Sequence, residues 1–197
     1  MSRKGFFYIG FFVVLVLVFY LIVSKWIKRN DTISVVQPFS FVNQDGRSVT
    51  DQDVLGKVYV AEYFFTTCKG ICPRLNTNMK QVYEAYKDRE DFLILSHTCQ
   101  PEIDSVPVLK RYADSMKVDT RRWMFLTGRK DSLYTMARIS YTIDDPVNNL
   151  RNIDDDFLHT QFWALVDREG NVKKVYDGLK ESEVNALIRQ LKRMLNN

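Results

Sequence analysis

The sequence has few of the residues that build disulfide scaffolds and dense metal sites. Its 197 residues include three cysteines and two histidines. Small secreted scaffolds held together by disulfides need more cysteines in even numbers, so this class of protein is excluded. The odd count leaves at least one thiol without a partner in the chain. A cysteine set of this kind is more often used for chemistry than for structure.

Charge of one sign is not concentrated in any part of the chain beyond a few basic residues near the N-terminus. The formal net charge is +4, from 28 Lys and Arg against 24 Asp and Glu. A nucleic-acid-binding protein would gather its basic residues on one face. We therefore expect no nucleic-acid partner.

A long uncharged run is the first feature that is present. Residues 5–23 carry no charge, and roughly 20 apolar residues span a bilayer as a helix. The apolar part of a cleaved signal peptide is shorter and ends at a small-residue cleavage site, which is missing here. We predict a membrane anchor over residues 1–30, with its span at about 5–23. A linker over 31–38 and one domain over 39–197 follow.

The domain alternates between strand and helix patterns. Asp45-Gly46 lies between two short apolar runs and predicts a β-hairpin. Strand patterns cover 57–67, 91–97 and 122–128, and helix patterns cover 73–87, 104–117 and 130–139. A polar, exposed loop over 140–158 follows. Two hairpin strands and a helix over 180–195 complete the chain. This order predicts an α/β fold with a central mixed sheet and helices on both faces.

Cys68 and Cys72, in "TTCKGICP", lie between the first of these strands and the helix that follows it. Sheets of this class place their ligands at this end of their strands. Pro73 favours a helix start directly after Cys72, and a helix N-terminus lowers the pKa of a nearby thiol. The pair therefore suits a metal ion or thiol–disulfide exchange, with two buried structural cysteines as the alternative.

His159 stands in "DDDFLHTQFWALVDREG", directly before a later strand, where thioredoxin-like proteins carry a Pro-Thr step that faces their cysteines. Together with "TTCKGICP" and "FLTG", this motif resembles the SCO/SenC family over about residues 35–195. The resemblance implies a thioredoxin-like fold and a copper ion, Cu(I) or Cu(II), bound by Cys68, Cys72 and His159. Thiolates and imidazole are ligands that suit copper. The acids at 154–156 are candidates to orient the imidazole, with a solvated loop as the favoured alternative.

The resemblance also implies a task and a place. SCO/SenC proteins are membrane-anchored copper chaperones, so the implied partner is the copper-site subunit of cytochrome c oxidase, with a thiol reductant that keeps the cysteines reduced. The basic residues on both sides of the span do not decide its orientation. By resemblance, the N-terminus is cytoplasmic and the domain faces the periplasm or exterior of a bacterial inner membrane.

The sequence departs from the family at the end of the second core strand. Gln100 stands where the family often has Asp, and Cys99 is an added thiol. His97 and Cys99 are therefore spare candidate ligands. We expect them to point to opposite faces of the sheet, so that at most one faces the cysteine pair.

Glu62 favours a different function. It lies six positions before Cys68 in an otherwise apolar strand, the offset at which thioredoxin-like redox domains carry a buried acid. A buried Glu has a raised pKa and can act as a general base, whereas a Glu on an edge strand would reach solvent. The alternative hypothesis is a thiol–disulfide oxidoreductase that uses Cys68 and Cys72 to reduce a partner's cysteines, with Glu62 as a proton relay.

Overall fold

A computed structural model describes residues 3–145 and 157–196 of the chain. The contacts divide it into two compact units, Met1–Thr32 and Ile33–Asn197. The first unit contains helix α1 (Arg3–Asn30). Its stretch Lys4–Val23 has a mean hydropathy of 2.9, and none of its residues is buried. This helix is a candidate membrane span, at the place where the sequence predicts one.

The described part of the second unit contains one mixed sheet. Its eight strands are β1 (Ser34–Val35), β2 (Ser40–Asn43), β3 (Ser48–Thr50), β4 (Val58–Phe64), β5 (Phe92–Thr98), β6 (Trp123–Thr127), β7 (Phe162–Val166) and β8 (Asn171–Asp177). Their order across the sheet is β1-β8-β7-β4-β5-β6-β2-β3. The central strands β4, β5 and β6 are parallel to one another, and the other neighbours pair antiparallel.

Helices cover both faces of this sheet, as predicted. They are α2 (Asp51–Val54), α3 (Cys72–Tyr86), α4 (Val106–Met116), α5 (Lys130–Thr135) and α6 (Glu181–Leu195). Helix α3 begins at Cys72 with Pro73 in its first turn, where proline is favoured because no N–H is needed. Cys72 is therefore part of the helix rather than of the loop before it.

The two faces of β4 enter different cores, because successive side chains of a strand point in opposite directions. Tyr59, Ala61 and Tyr63 pack with residues of α2 and α5 on what we call the α5 face. Val60 and Phe64 pack with residues of α3, α4 and α6 on the α3 face. Every residue of β4 is buried. The strand is thus the centre of the domain, and its carboxyl end leads directly to the cysteines.

The N-terminal hairpin is confirmed. Strands β2 and β3 pair from Ser40 with Thr50, and Gly46 takes the positive φ of 75° that the turn requires. Ahead of the hairpin, within the segment expected to be a linker, Ser34–Val35 pair with β8 as strand β1.

The prediction for residues 130–158 is wrong in two respects. Helix α5 ends at Thr135, and the chain continues as a π-helical turn over Met136–Ser140. The following segment is only partly exposed where the structure describes it: Tyr141, Ile143 and Leu158 are buried, whereas Thr142 and Phe157 are exposed. Single apolar residues in a polar stretch show no periodicity, so their burial could not be predicted from the sequence. The acids at 154–156 lie outside the described residues.

Candidate metal and thiol site

The two cysteines lie together at the N-terminus of α3. The chain leaves β4 at Phe64, and the Cys68 N–H donates to the Phe65 carbonyl at 3.2 Å. The two thiols are close enough to share a hydrogen bond. Cys72 is buried and Cys68 is half-buried, and both are free of disulfides. The first predicted feature of the site, a cysteine pair at the carboxyl end of a central strand, is therefore present.

Cys68 is the more acidic thiol of the pair. Burial alone would raise its pKa. The hydrogen bond from the Cys72 thiol and those from the backbone N–H groups of residues 70–72 outweigh that effect, so its pKa lies below the usual value. These N–H groups lie at the N-terminus of α3, where the first N–H groups have no partner within the helix and the helix dipole is positive. Cys68 is thus the sulfur that is ready to bind a metal or attack a disulfide.

Cys72 behaves in the opposite way. Burial raises its pKa to about 12, aided by the hydrogen bond and negative charge of Cys68 and by the charge of Glu62, while the Phe65 N–H works against the rise. The pair therefore combines one half-buried sulfur whose pKa is lowered with one enclosed sulfur whose pKa is raised. A metal ion that binds both sulfurs must displace that proton.

His159 borders the cysteine loop. Its imidazole is exposed and stacks on Phe157, with 6.2 Å between ring centroids. It also lies 6.3 Å from the ring of Phe65, whose carbonyl accepts the Cys68 N–H. Across residues 3–145 and 157–196, no three His, Cys, Asp or Glu side chains lie close enough to hold a metal ion. The imidazole must therefore move relative to the sulfurs before all three could bind one ion.

Comparison with known proteins identifies the family. The model of the SCO1/SenC family matches residues 27–196. The chain belongs to the SCO1/SenC family. A SCO1 protein homolog of Bacillus subtilis is 29% identical over 161 residues, which cover 80% of this chain and 81% of that protein.

Solved structures agree with this membership. BsSco, described as a member of the Sco family of cytochrome c oxidase assembly proteins with a disulfide switch, matches with a TM-score of 0.70 and 28% identity, covering 84% of this chain and 96% of that one. Arabidopsis thaliana ScoI, solved with copper bound, matches with a TM-score of 0.63 and 24% identity over 83% and 99% of the two chains. At 24% identity, the match to ScoI shows only that the two proteins share a fold. The predicted thioredoxin-like fold of this SCO1/SenC protein is confirmed.

Glu62 is buried in the SCO1/SenC domain, with 2% of its surface exposed. Its strand β4 lies between β5 and β7, so the alternative of an edge-strand Glu in contact with solvent is excluded. Ser96 Oγ donates to Glu62 Oε1 at 2.6 Å, and Trp123 Nε1 donates to Ser96 Oγ at 2.7 Å. Burial raises the pKa of Glu62 to about 7 against the opposing effect of the Ser96 hydrogen bond.

His97 and Cys99 do not point to opposite faces, and this prediction is wrong because residues two apart on a strand share a face. His97 stacks on Tyr63 with 5.1 Å between ring centroids, and its Nε2 lies 3.2 Å from the Tyr141 hydroxyl. Tyr63, Tyr141 and Cys99 all belong to the core of the α5 face. Burial lowers the pKa of His97 to about 3. The residue is enclosed in the core, away from any solvent-accessible ligand position.

Sequence reasoning missed one residue of the cysteine loop. Asp104 is fully buried, and its carboxylate accepts hydrogen bonds from the backbone N–H and hydroxyl of Thr66 and from the hydroxyl of Thr98. It thereby fixes the chain two residues before Cys68. Its signal in the sequence is an acid that follows the second core strand in "HTCQPEID", which gives no indication of the loop it would hold.

Proposed function

We propose that this SCO1/SenC protein is a membrane-anchored copper chaperone that delivers copper to cytochrome c oxidase or matures its copper site. The observation that carries the proposal is the pair of neighbouring thiols at the start of α3, where hydrogen bonds lower the pKa of Cys68. Soft thiolate sulfurs select copper over hard cations. Membership of the family and the assembly role described for BsSco support the choice of partner.

Copper is the cargo here, and the residues divide the work of holding it. Cys68 binds first as a thiolate, and Cys72 joins it by releasing its proton. His159 then leaves the face of Phe157 and supplies the third ligand. A set of three protein ligands leaves one position open, which suits transfer to another protein better than a closed site of four.

The anchor gives the proposal a location. Helix α1 holds the protein in the membrane with the N-terminus in the cytoplasm, and the domain faces the periplasm or exterior. There it would meet the copper-site subunit of the oxidase. Because copper needs free thiols, a reductant on the same side keeps Cys68 and Cys72 reduced.

A copper titration of the full-length chain in detergent tests the ligand set. The reduced protein is titrated with Cu(I) against a competing chelator. We expect one ion per chain, and His159→Ala should weaken the affinity by more than about tenfold. Cys99→Ser is the matched control, since it removes a thiol outside the proposed set and should leave the affinity unchanged. An unchanged affinity in His159→Ala would remove His159 from the site.

A second candidate function is supported by Glu62. In a thiol–disulfide oxidoreductase, the Cys68 thiolate attacks a partner's disulfide, forms a mixed disulfide and expels one partner sulfur as a thiolate. Cys72 passes its proton to the Glu62 carboxylate, and its sulfur attacks Cys68 and releases the second partner thiolate. The partner gains two electrons and Cys68–Cys72 become a disulfide, which a thiol reductant reduces again. The charge of Glu62 already acts on Cys72.

Turnover with a protein disulfide as substrate tests this second function. Glu62→Gln keeps an acceptor for Ser96 but cannot take a proton, so we expect reduction at pH 7 to slow by about a hundredfold. Glu169→Gln, at an exposed acid, should turn over like the parent protein. Equal rates in both variants would exclude Glu62 as the proton acceptor.

A further inference from the structure

We propose that Thr160 is a positioning residue that fixes His159 by anchoring its backbone to a structural seat, formed by residues 136–144. The inference rests on the proposed function, in which His159 binds copper. It assigns a purpose to the π-helical turn that replaces the end of the predicted helix over 130–139 and to the buried residues that follow this turn. Such turns are frequent at functional sites.

The seat is held together by its own contacts. The Tyr141 N–H donates to the Met136 carbonyl at 2.9 Å, and the Ile143 N–H donates to the Ala137 carbonyl at 3.0 Å. Below them, Arg138 Nε donates to Asp144 Oδ2 at 2.8 Å, and the two side chains are only 5% and 12% exposed. An ion pair this enclosed fixes the relative position of the two ends of the segment, because either charge alone would be buried without a partner.

The backbone of the seat is strained at one point. Thr142 has a φ of 53°, in the left-handed region that residues other than glycine rarely adopt. Its neighbours Tyr141 and Ile143 are both buried. A strained conformation of this kind persists when the surrounding packing determines it, and strain of this kind clusters at functional sites. The Ile143 carbonyl therefore has a fixed direction.

Thr160 binds this fixed carbonyl. Its Oγ1 donates to the Ile143 carbonyl at 2.6 Å and accepts the Phe162 N–H at 3.2 Å, so one hydroxyl joins the seat to the start of β7. On the other side of His159, the Leu158 side chain is buried in the core of the α5 face. His159 thus has an anchored neighbour on each side while its own imidazole is exposed. The anchors act on the backbone on either side of His159 and leave its side chain exposed.

The metal-free protein supplies the first test, by NMR of its imidazole groups. The chain has only two histidines, and buried His97 reports the integrity of the core. Thr160→Val removes the hydroxyl at nearly constant volume. We expect the His159 signals to lose the ring-current shifts caused by Phe157 and Phe65, while the His97 signals stay in place. Thr160→Ser keeps the hydroxyl and should match the parent. Unchanged His159 signals in Thr160→Val would overturn the proposal.

Copper affinity supplies the second test, as a double-mutant cycle. Thr160→Val should weaken Cu(I) binding by about tenfold, the effect of one lost hydrogen bond, and Thr160→Ser should restore it. In a His159→Ala background, Thr160→Val should have no further effect. An equal loss in both backgrounds would show that Thr160 acts on the fold rather than through His159.

The two proposals fail in different ways. If His159→Ala leaves copper affinity unchanged, the proposed ligand set is wrong, and the NMR comparison still decides whether Thr160 positions the imidazole. If His97 signals show that Thr160→Val does not fold, Thr160→Ala deletes the same hydroxyl without a branched side chain. The same loss of His159 ring-current shifts is then expected, and its absence overturns the inference.

Discussion

Two buried ionisable side chains, one on each face of the sheet, can be compared directly because they lie on adjacent strands. Glu62 points to the α3 face and His97 to the α5 face, on the adjacent strands β4 and β5, and neither exposes more than 2% of its surface. Burial disfavours the charged form of both, so the pKa of Glu62 rises to about 7 and that of His97 falls to about 3. Both are therefore neutral over a wide range of pH.

The difference lies in what surrounds them. Glu62 accepts a hydrogen bond from Ser96 and acts on Cys72, so its proton can take part in the chemistry of the site. His97 lies among the rings of Phe41, Tyr63 and Tyr141. In the proposed thiol–disulfide function the same desolvation would serve proton transfer on the α3 face, whereas on the α5 face it accompanies aromatic packing. The role of a buried ionisable group depends more on its neighbours than on the size of its pKa shift.

Acidification should destabilise the domain through His97 on the α5 face, and this is the largest effect we expect. The pKa of His97 is 6.5 in the unfolded chain and about 3 in the fold, so its stabilising contribution is complete above pH 6.5 and is lost as the pH falls. Between pH 7 and pH 3.5 we expect this residue to lower the free energy of unfolding by about 4 kcal/mol. Urea titrations at both pH values measure it, and His97→Gln should remove this dependence. A parent-like pH dependence in His97→Gln would contradict the assignment.

The α3 face should respond to pH in the opposite direction. The pKa of Glu62 rises from 4.5 to about 7 on folding, so its contribution is complete below pH 4.5 and is lost as the pH rises to 7. The expected loss is about 3 kcal/mol. Glu62→Gln should therefore be more stable than the parent at pH 8, measured by urea unfolding. The exposed variant Glu169→Gln serves as control, and an equal gain in both would point to net charge instead.

Removing Ser96 Oγ should sharpen the contrast by isolating Glu62. In Ser96→Ala, the Trp123 N–H loses its acceptor and Glu62 loses the donor that opposes its raised pKa. We expect a loss of about 1–2 kcal/mol at pH 5 and a shift of the Glu62-dependent decline to higher pH. Ser48→Ala, at an exposed serine of β3, should leave the pH of the decline unchanged. A decline at lower pH in Ser96→Ala would refute the role given to this hydrogen bond.

The smallest effect is expected from Tyr141→Phe. The change deletes the hydroxyl beside His97 Nε2 and keeps the ring, so the free energy of unfolding at pH 7 should fall by about 1 kcal/mol. Denaturant unfolding measures it. Aromatic packing, rather than this hydrogen bond, would then account for the enclosure of His97. A loss several times larger would reverse that ranking.

Much of the fold could be predicted from the sequence because its signals are local. Asp45-Gly46 determines a turn, Pro73 a helix start, and the apolar run of β4 a buried strand. The seat under His159 could not be predicted in this way. It depends on contacts between single residues, such as Arg138 with Asp144 and Thr160 with Ile143, which form no repeating pattern. It also depends on a π-helical turn that has no sequence period of its own.

The site was predictable as chemistry but not as geometry. Two cysteines before a helix indicate reactive thiols, and the alternation of β4 places Glu62 on the side of α3. The difference between Cys68 and Cys72 depends on which sulfur meets the free N–H groups of residues 70–72 and which one is enclosed. The role of Asp104 depends on a hydrogen bond across 38 positions to Thr66. Neither relation has a counterpart in the spacing of the sequence.

Helix α3 begins at a proposed copper ligand, and this has a consequence for the lifetime of the protein. Cys72 is its first residue, and Leu75, Met79 and Val82 of the same helix are buried in the core of the α3 face. A metal held at Cys72 would clamp the helix at its first turn, and a ligand that binds only the folded state protects it by about 4 kcal/mol at a thousandfold excess over its dissociation constant. Loaded and empty molecules would then differ in their resistance to heat and proteases. The amount of protein that remains folded and undegraded would then depend on the supply of copper.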